Sequence, residues 1–269
     1  MKPSARDYRE HYELERRLSD KLRKSTKAER KNLYNEVYDE IYSKVPYLLP
    51  LTIKTSKEKL SSDLKMLKPY LNKETVFLEV GPGNCIFAFA VSAYVKQVYA
   101  VDVSNEVTKK SNPPKNFELI ISDGTDIPLP PASVDFVYSN QLMEHLHPED
   151  AKDQLVNIYQ ALKAQGSYFC RTPNRLSGPH DISKFFDDEA TGFHLKEYTI
   201  GELRDLFKEI GFRKFTLVVG AKGLFLSLPC WPIVILEKCL LALPLRLRKP
   251  LGRFFPLRLL LGIKLLATK

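Results

Sequence analysis

The chain has 269 residues, 44% of them hydrophobic, with 41 Lys and Arg against 32 Asp and Glu for a formal net charge of +9. That apolar content is ample for one sizeable core with additions and excludes a disordered chain. The opening Met-Lys-Pro-Ser-Ala-Arg-Asp-Tyr-Arg-Glu is too charged for a signal peptide, and no uninterrupted run of about 18 apolar residues occurs, so neither secretion nor a transmembrane helix is expected.

Charge is unevenly placed: residues 1–70 are net basic, 71–237 net acidic, and 238–269 hold eight Lys and Arg with no acid. An acidic middle points to local basic surfaces and away from a nucleic-acid-binding domain. Cys85, Cys170, Cys230 and Cys239 stand far apart, with no Cys-x-x-Cys pair, and read as reduced thiols in a cytosolic protein.

In chain order, residues 7–45 read as two helices broken at Lys24-Ser25-Thr26, the second opened by the capping-box spacing Thr26-Lys-Ala-Glu29. Leu33, Val37 and Ile41 form one stripe of that helix and Tyr34, Tyr38 and Tyr42 another. It either packs on the main domain or turns its tyrosines to a substrate. Pro46 and Pro50 are expected to end this region, and Thr55-Ser-Lys-Glu58 to begin a helix with Leu60, Leu64 and Leu67 inward.

From residue 75 the pattern alternates. Strands are predicted at 75–80, 97–103, 117–122, 134–139 and 167–172, with helices at 84–95 and 150–164. Short apolar strands alternating with helices imply a parallel sheet covered on both faces. Thr199-Ile-Gly-Glu202 opens a further helix ending at Gly211, followed by a strand at Phe215–Val219. In residues 224–261, prolines at 229, 232, 244, 250 and 256 cut an apolar stretch into helices too short to cross about 30 Å of hydrocarbon. Arg246, Arg248, Lys249, Arg253 and Arg258 flank it, which fits a segment lying on anionic lipid; a cap on the domain or a dimer surface remains open.

The stretch Val76-Phe-Leu-Glu-Val-Gly-Pro-Gly-Asn-Cys85 runs a buried strand into two glycines. Such a turn lets backbone approach a ligand closely beyond the carboxyl ends of a parallel sheet. Asp102 ends the second strand, 19 residues after Gly83, where a carboxylate can accept ribose hydroxyls. Asp123 ends the third, placed to accept from an adenine amino group. A dinucleotide reading wants G-x-G-x-x-G, and the third position here is Ile86.

These features, with Val98-Tyr-Ala-Val-Asp102, Ser122-Asp-Gly-Thr-Asp-Ile-Pro-Leu-Pro130 and Val134-Asp-Phe-Val-Tyr-Ser-Asn-Gln-Leu-Met-Glu-His-Leu146, resemble the class I S-adenosylmethionine-dependent methyltransferases, particularly the small-molecule group near the ubiquinone-biosynthesis enzymes. The resemblance covers about residues 75–220. It implies an α/β fold with a Rossmann-like seven-stranded sheet and helices on both faces. The parts would be an N-terminal helical extension (1–72), a cofactor-binding core (73–222), an apolar basic helical insertion (223–261) and a final core strand (262–269). It also implies that Glu79, Gly81, Pro82 and Gly83 border the methionyl part of the cofactor, Asp102 the ribose, and Asp123, Gly124 and Thr125 the adenine. Asn140 and Gln141 would flank the methyl donor. Cys85 stands where the family often has a third glycine.

Methyl transfer from a sulfonium is an in-line displacement, so positioning carries much of the catalysis, but a hydroxyl acceptor must lose a proton. His145 and Glu144 are the candidate catalytic pair. Related small-RNA and quinone enzymes bind a divalent metal through Glu-x-x-Glu-His, where this chain has Gln141 for the first Glu; no metal ligand set is assigned. His180, His194 and Tyr198 are candidates for the acceptor pocket. The resemblance thus implies methyl transfer to a small-molecule or lipid-like acceptor, at oxygen, and the sequence leads us to expect a cytoplasmic protein with an anionic membrane surface at the inner face as a partner. An RNA methyltransferase and a non-catalytic, membrane-recruited cofactor-binding subunit are the alternatives, and the oligomeric state is left open.

Overall fold

Five apolar runs, each ending in a polar or glycine-rich turn, build the parallel part of the sheet: β1 (Val76–Val80), β2 (Gln97–Asp102), β3 (Phe117–Ile121), β4 (Val134–Asn140) and β5 (Leu162–Thr172). The computed structural model describes residues 3–104 and 112–269. Successive side chains of a strand face opposite layers. Phe77, Phe136 and Phe169 enter one buried cluster, and their neighbours Leu78, Val137 and Tyr168 enter the other, so both faces are covered.

The sheet has eight strands in the order β3-β2-β1-β4-β5-β8-β6-β7, one more than the seven expected. The extra strand corrects the reading of 223–261 as wholly helical. Lys222 (φ +52°) and Gly223 (φ +84°) both adopt left-handed backbone, which a two-residue hairpin turn requires. They fold β7 (Leu224–Pro229) back on β6 (Lys214–Ala221), pairing Leu224 with Ala221. The helical insertion is therefore α7 (Cys230–Leu241), α8 (Leu245–Arg253) and α9 (Phe255–Leu261). After it, β8 (Ile263–Thr268) slots antiparallel between β5 and β6.

Ahead of the sheet lie α1 (Ala5–Lys24), α2 (Lys27–Lys44) and α3 (Leu48–Leu67). The Thr26 capping box forms, its hydroxyl accepting from the Glu29 amide. The predicted helix start at Thr55 is corrected: Thr55 lies inside α3, and Pro50 sits in that helix's first turn. There a missing N–H costs nothing, because first-turn amides have no intrahelical acceptor. On one face of the sheet α3 packs with the short α4 (Ile86–Val91). This helix falls short of the predicted 84–95; at its end the Ser92 hydroxyl turns back to the Phe89 carbonyl at 2.6 Å. On the other face lie α5 (Pro148–Ala161), α6 (Ile200–Ile210) and α7, with α1 and α2 adding Leu18, Leu22, Tyr34, Val37 and Ile41 to the same core.

A buried ion pair fixes α2 to α5. Arg30, 2% exposed, donates to Asp150 through Nε at 2.6 Å and Nη2 at 3.0 Å, and through Nη1 to the Ser25 carbonyl at 2.7 Å. Tyr34 donates to the same carboxylate at 2.7 Å and accepts from the His147 amide at 2.9 Å. These bonds compensate the desolvation of both charges.

Candidate active site

The turn after β1 has left-handed backbone at both glycines, Gly81 at φ +68° and Gly83 at φ +53°. A side chain at Gly81 would meet Leu142 Cδ1 at 2.9 Å, whereas a Cβ at Gly83 would have no atom within 4 Å. The Gly83 amide donates to Asp102 Oδ2 at 3.0 Å, tying the turn to the end of β2, and Oδ1 accepts from the Val103 amide at 2.7 Å. Cys85, where the family often has glycine, also takes positive φ (+53°) and is fully buried. Burial pushes its thiol pKa up, so it stays a neutral packing group.

Above this turn lies a cavity of about 960 Å³. Glu79, Gly81, Pro82, Gly83, Asp102, Gly124, Asn140 and Gln141 all border it. Glu79 is 4% exposed; burial, and then the negative charges of Asp102 and Asp63, hold its pKa well above the usual carboxylate range. Glu79 Oε2 and Asn140 Oδ1 are buried acceptors without a hydrogen-bond partner. Buried acceptors are ordinarily satisfied. Two unpaired oxygens, a negative local field and open space at Gly83 fit a ligand with a cationic aminoacyl end, as S-adenosylmethionine has.

His145 borders the same cavity. Its Nδ1 lies 3.1 Å from the Phe193 carbonyl, which can only accept, so Nδ1 carries the proton and Nε2 the lone pair. Burial, and then His194, push its pKa down to about 3, so the ring is neutral. Its neighbours are the rings of His194, Phe193 and Tyr38, with centroids 4.9, 5.3 and 6.2 Å away.

Glu144 sits beneath this layer, fully buried. Oε2 accepts from Thr172 Oγ1 at 2.8 Å, Oε1 has no partner, and burial pushes the pKa up to about 7. His194 holds Glu197 at 2.7 Å through Nδ1. Burial opposes its charge, but Glu197 and Glu144 outweigh burial and raise its pKa. Glu144, His145 and His194 each offer an atom within 4.8 Å of the others, a donor set that a divalent cation can use.

Other predicted residues lie elsewhere. Asp123 is outside the cavity lining: Oδ1 accepts from the amides of Thr125 and Asp126, both at 2.9 Å, and Oδ2 takes Lys31 at 2.7 Å. Burial works against its charge, but these partners prevail and its pKa is lowered. Thr125 is buried in the same turn, and it is Asp126 that reaches the cavity. His180 closes a local network, Nε2 at 2.9 Å from the Ser177 hydroxyl and its amide donating to Glu197 at 2.7 Å. Tyr198 is 2% exposed and also outside the lining.

The sequence left open whether the tyrosines of α2 face a substrate and gave no sign that α3 does; together they roof the cavity, with Tyr38, Tyr42, Leu48, Lys59, Leu60 and Asp63 in its wall. The tyrosine stripe was the available signal. Burial raises the pKa of Tyr38 and Tyr42, leaving both as neutral phenols. Phe193 completes the wall and had no signal in the sequence.

A doubly wound sheet whose glycine turn and acidic strand end meet at one cavity defines a Rossmann-like, nucleoside-type cofactor site. Residues 78–170 match the family model described as a methyltransferase domain. A probable S-adenosylmethionine-dependent methyltransferase of Mycobacterium tuberculosis is 31% identical over 137 residues, covering 50% of this chain and 47% of its own. An uncharacterised methyltransferase of Geobacillus is 27% identical over 149 residues, 51% of this chain and 70% of its own. The chain spans about half the length of the first of these relatives.

Among solved structures, a SAM-dependent methyltransferase from Archaeoglobus fulgidus superposes with a TM-score of 0.53 at 20% identity, over 80% of this chain and 95% of that one. Phosphoethanolamine N-methyltransferase 1 of Haemonchus contortus gives 0.55 at 16% identity, over 74% and 46%. These two show the fold. Residues 78–170 thus match a methyltransferase domain, and the sheet around them has the fold of solved S-adenosylmethionine-dependent methyltransferases.

Proposed function

We propose that the protein transfers a methyl group to a hydroxyl oxygen of a small or lipid-like acceptor, with His145 as the proton acceptor. The observation that carries this is an imidazole in the cavity wall whose Nδ1–H is committed to the Phe193 carbonyl, leaving the Nε2 lone pair free. With its pKa pushed down to about 3 it is a weak base toward a free hydroxyl, and it takes the proton as the oxygen gains the methyl and becomes strongly acidic. S-adenosylmethionine, when bound, supplies an electrophilic methyl on sulfur. Glu79 and Asn140 would receive its aminoacyl end through their unpaired oxygens, and Asp102 the ribose, through lone pairs not used by backbone amides. The roof of Tyr38, Tyr42 and Leu60 excludes water and offers an apolar wall to the acceptor, so that orientation and a dry site supply much of the rate. Burial raises the pKa values of Tyr38 and Tyr42, so neither offers a phenolate base.

His145→Ala is expected to keep cofactor affinity, measured by titration calorimetry, while slowing methyl transfer by about 10²–10⁴-fold. Full turnover in the variant sinks the base assignment. Dialysis against EDTA is expected to leave turnover intact; loss that added Zn²⁺ or Mg²⁺ restores would replace the base with a metal at Glu144, His145 and His194. The acceptor class is tested with methyl-labelled S-adenosylmethionine and, separately, lipid and water-soluble cell extracts. Label in neither fraction, with cofactor binding intact, favours a non-catalytic subunit.

A further inference from the structure

We propose that the outer side of the helical insertion, α7 to α9 with the adjoining edge strand β7, docks on an anionic lipid bilayer. Among the described residues, nine of the thirteen large hydrophobic side chains left exposed fall between Leu224 and Phe255. Single exposed apolar residues are ordinary on a protein surface; a concentration in one short segment marks an interaction site.

The helices show how it arises. In α7, Ile233, Val234, Glu237 and Leu240 are buried, while Trp231 (63% exposed) and Ile235, one turn apart, face out. Leu245, Leu247 and Leu251 of α8 are exposed, and at the junction with α9 so are Phe254 and Phe255, the latter 73% exposed. Aromatic and leucine side chains among arginines suit the boundary between headgroups and acyl chains. No helix among the described residues is long and apolar enough to cross the membrane, so the segment would lie in the interface.

Charge selects the occupant. Residues 238–269 hold eight Lys and Arg and no acid, and Lys238, Arg246, Arg253 and Arg258 are exposed beside the apolar positions. A second copy meeting this face about a two-fold axis would set the same cations against each other. Nucleic acid would match the charge but leave the aliphatic and aromatic side chains in water. An anionic bilayer satisfies both.

The surface is also held firmly to the core. Glu237 accepts from the Ile200 and Gly201 amides, each at 2.8 Å, and from Asn174 Nδ2 at 2.7 Å. Gly252 lets α8 lie so close to residues 175–177 that a Cβ would come within 1.9 Å of the Leu176 carbonyl oxygen.

Trp231 is the one tryptophan of the chain, so its emission reports this face alone. The full chain is mixed with vesicles of phosphatidylcholine, or of phosphatidylcholine with phosphatidylglycerol. Flotation and a blue shift of Trp231 emission are expected with the anionic vesicles, and both weaken as salt rises. Each Lys or Arg near an anionic surface is worth about fivefold in partitioning, so Arg246→Gln with Arg258→Gln should lower binding about 25-fold. Phe254→Ser with Phe255→Ser should weaken binding while S-adenosylmethionine binding, the check on folding, is unchanged. Absence of flotation, equal binding to neutral vesicles, or a blue shift produced without lipid by raising protein concentration would each overturn the proposal. None of these readouts requires a methyl acceptor.

Discussion

Two helical additions flank the same sheet and use their side chains in opposite ways. The N-terminal pair α2 and α3 turns Tyr38, Tyr42 and Leu60 inward to roof the cavity, whereas α7 to α9 turn Trp231, Phe254 and Phe255 outward. Each is tied down by buried charge: Arg30 on Asp150 and Asp63 on Arg171 for the first, Glu237 on the start of α6 for the second. Anchoring and exposure are thus separate properties. A helix can be firmly fixed to a domain by one side chain and still present an unpaired apolar surface.

The largest test of this contrast is Arg30→Met, which leaves Asp150 buried without its ion pair. It should cost about 3–5 kcal/mol in denaturant unfolding and weaken cofactor binding, because the roof depends on α2. An unchanged midpoint would show that α2 is held by apolar packing alone.

Between the two additions, Glu144 gives a pH signature. Its folded pKa of about 7 lies above the ordinary 4.5, so its stabilising contribution is complete below about pH 4.5 and is lost as pH rises through about 7. Glu144→Gln should remove up to about 3 kcal/mol of that loss, seen as a smaller fall in Tm from pH 5 to pH 8. His194 and Glu79, also raised, act in the same direction, so part of the slope remains in the variant. An identical pH slope in the variant would place the proton elsewhere.

Glu237→Ala strips the α6 amides and Asn174 of their acceptor and should cost about 2 kcal/mol in the same unfolding assay. Phe255→Ser, at the exposed end of the comparison, should change stability by less than about 0.5 kcal/mol. A large loss there would mean that Phe255 already has a protein partner.

Four of the five parallel strands were legible within a residue because each is a continuous apolar run bounded by turns; β5 starts at Leu162, five residues before the predicted 167, where a helix was expected to continue. Glu79, Gly81, Gly83, Asp102, Asn140, Gln141 and His145 were legible as a group because they sit at the ends of those strands, and the structure brings them to one cavity. What escaped depends on contacts distant in sequence. Asp123 looks like a ligand-facing strand end until Lys31, 92 positions earlier, takes its free oxygen. Pro50 reads as a stop unless the helix start at Leu48 is known. The strand β7 hides in Leu-Phe-Leu-Ser-Leu-Pro because its partner is recognised only through the Lys222-Gly223 turn.

The placement of β8 has a consequence in time. It joins β5 to β6, yet its first residue, Ile263, lies some 90 residues beyond its partner Thr172. At about 5–20 residues per second, β5 leaves the ribosome roughly 5–20 s before the strand that completes it. For that interval one side of β5 offers unpaired backbone groups that other strands can capture. Folding of the whole sheet is therefore gated by translation of the helical insertion, and the hazard of mispairing grows with its length.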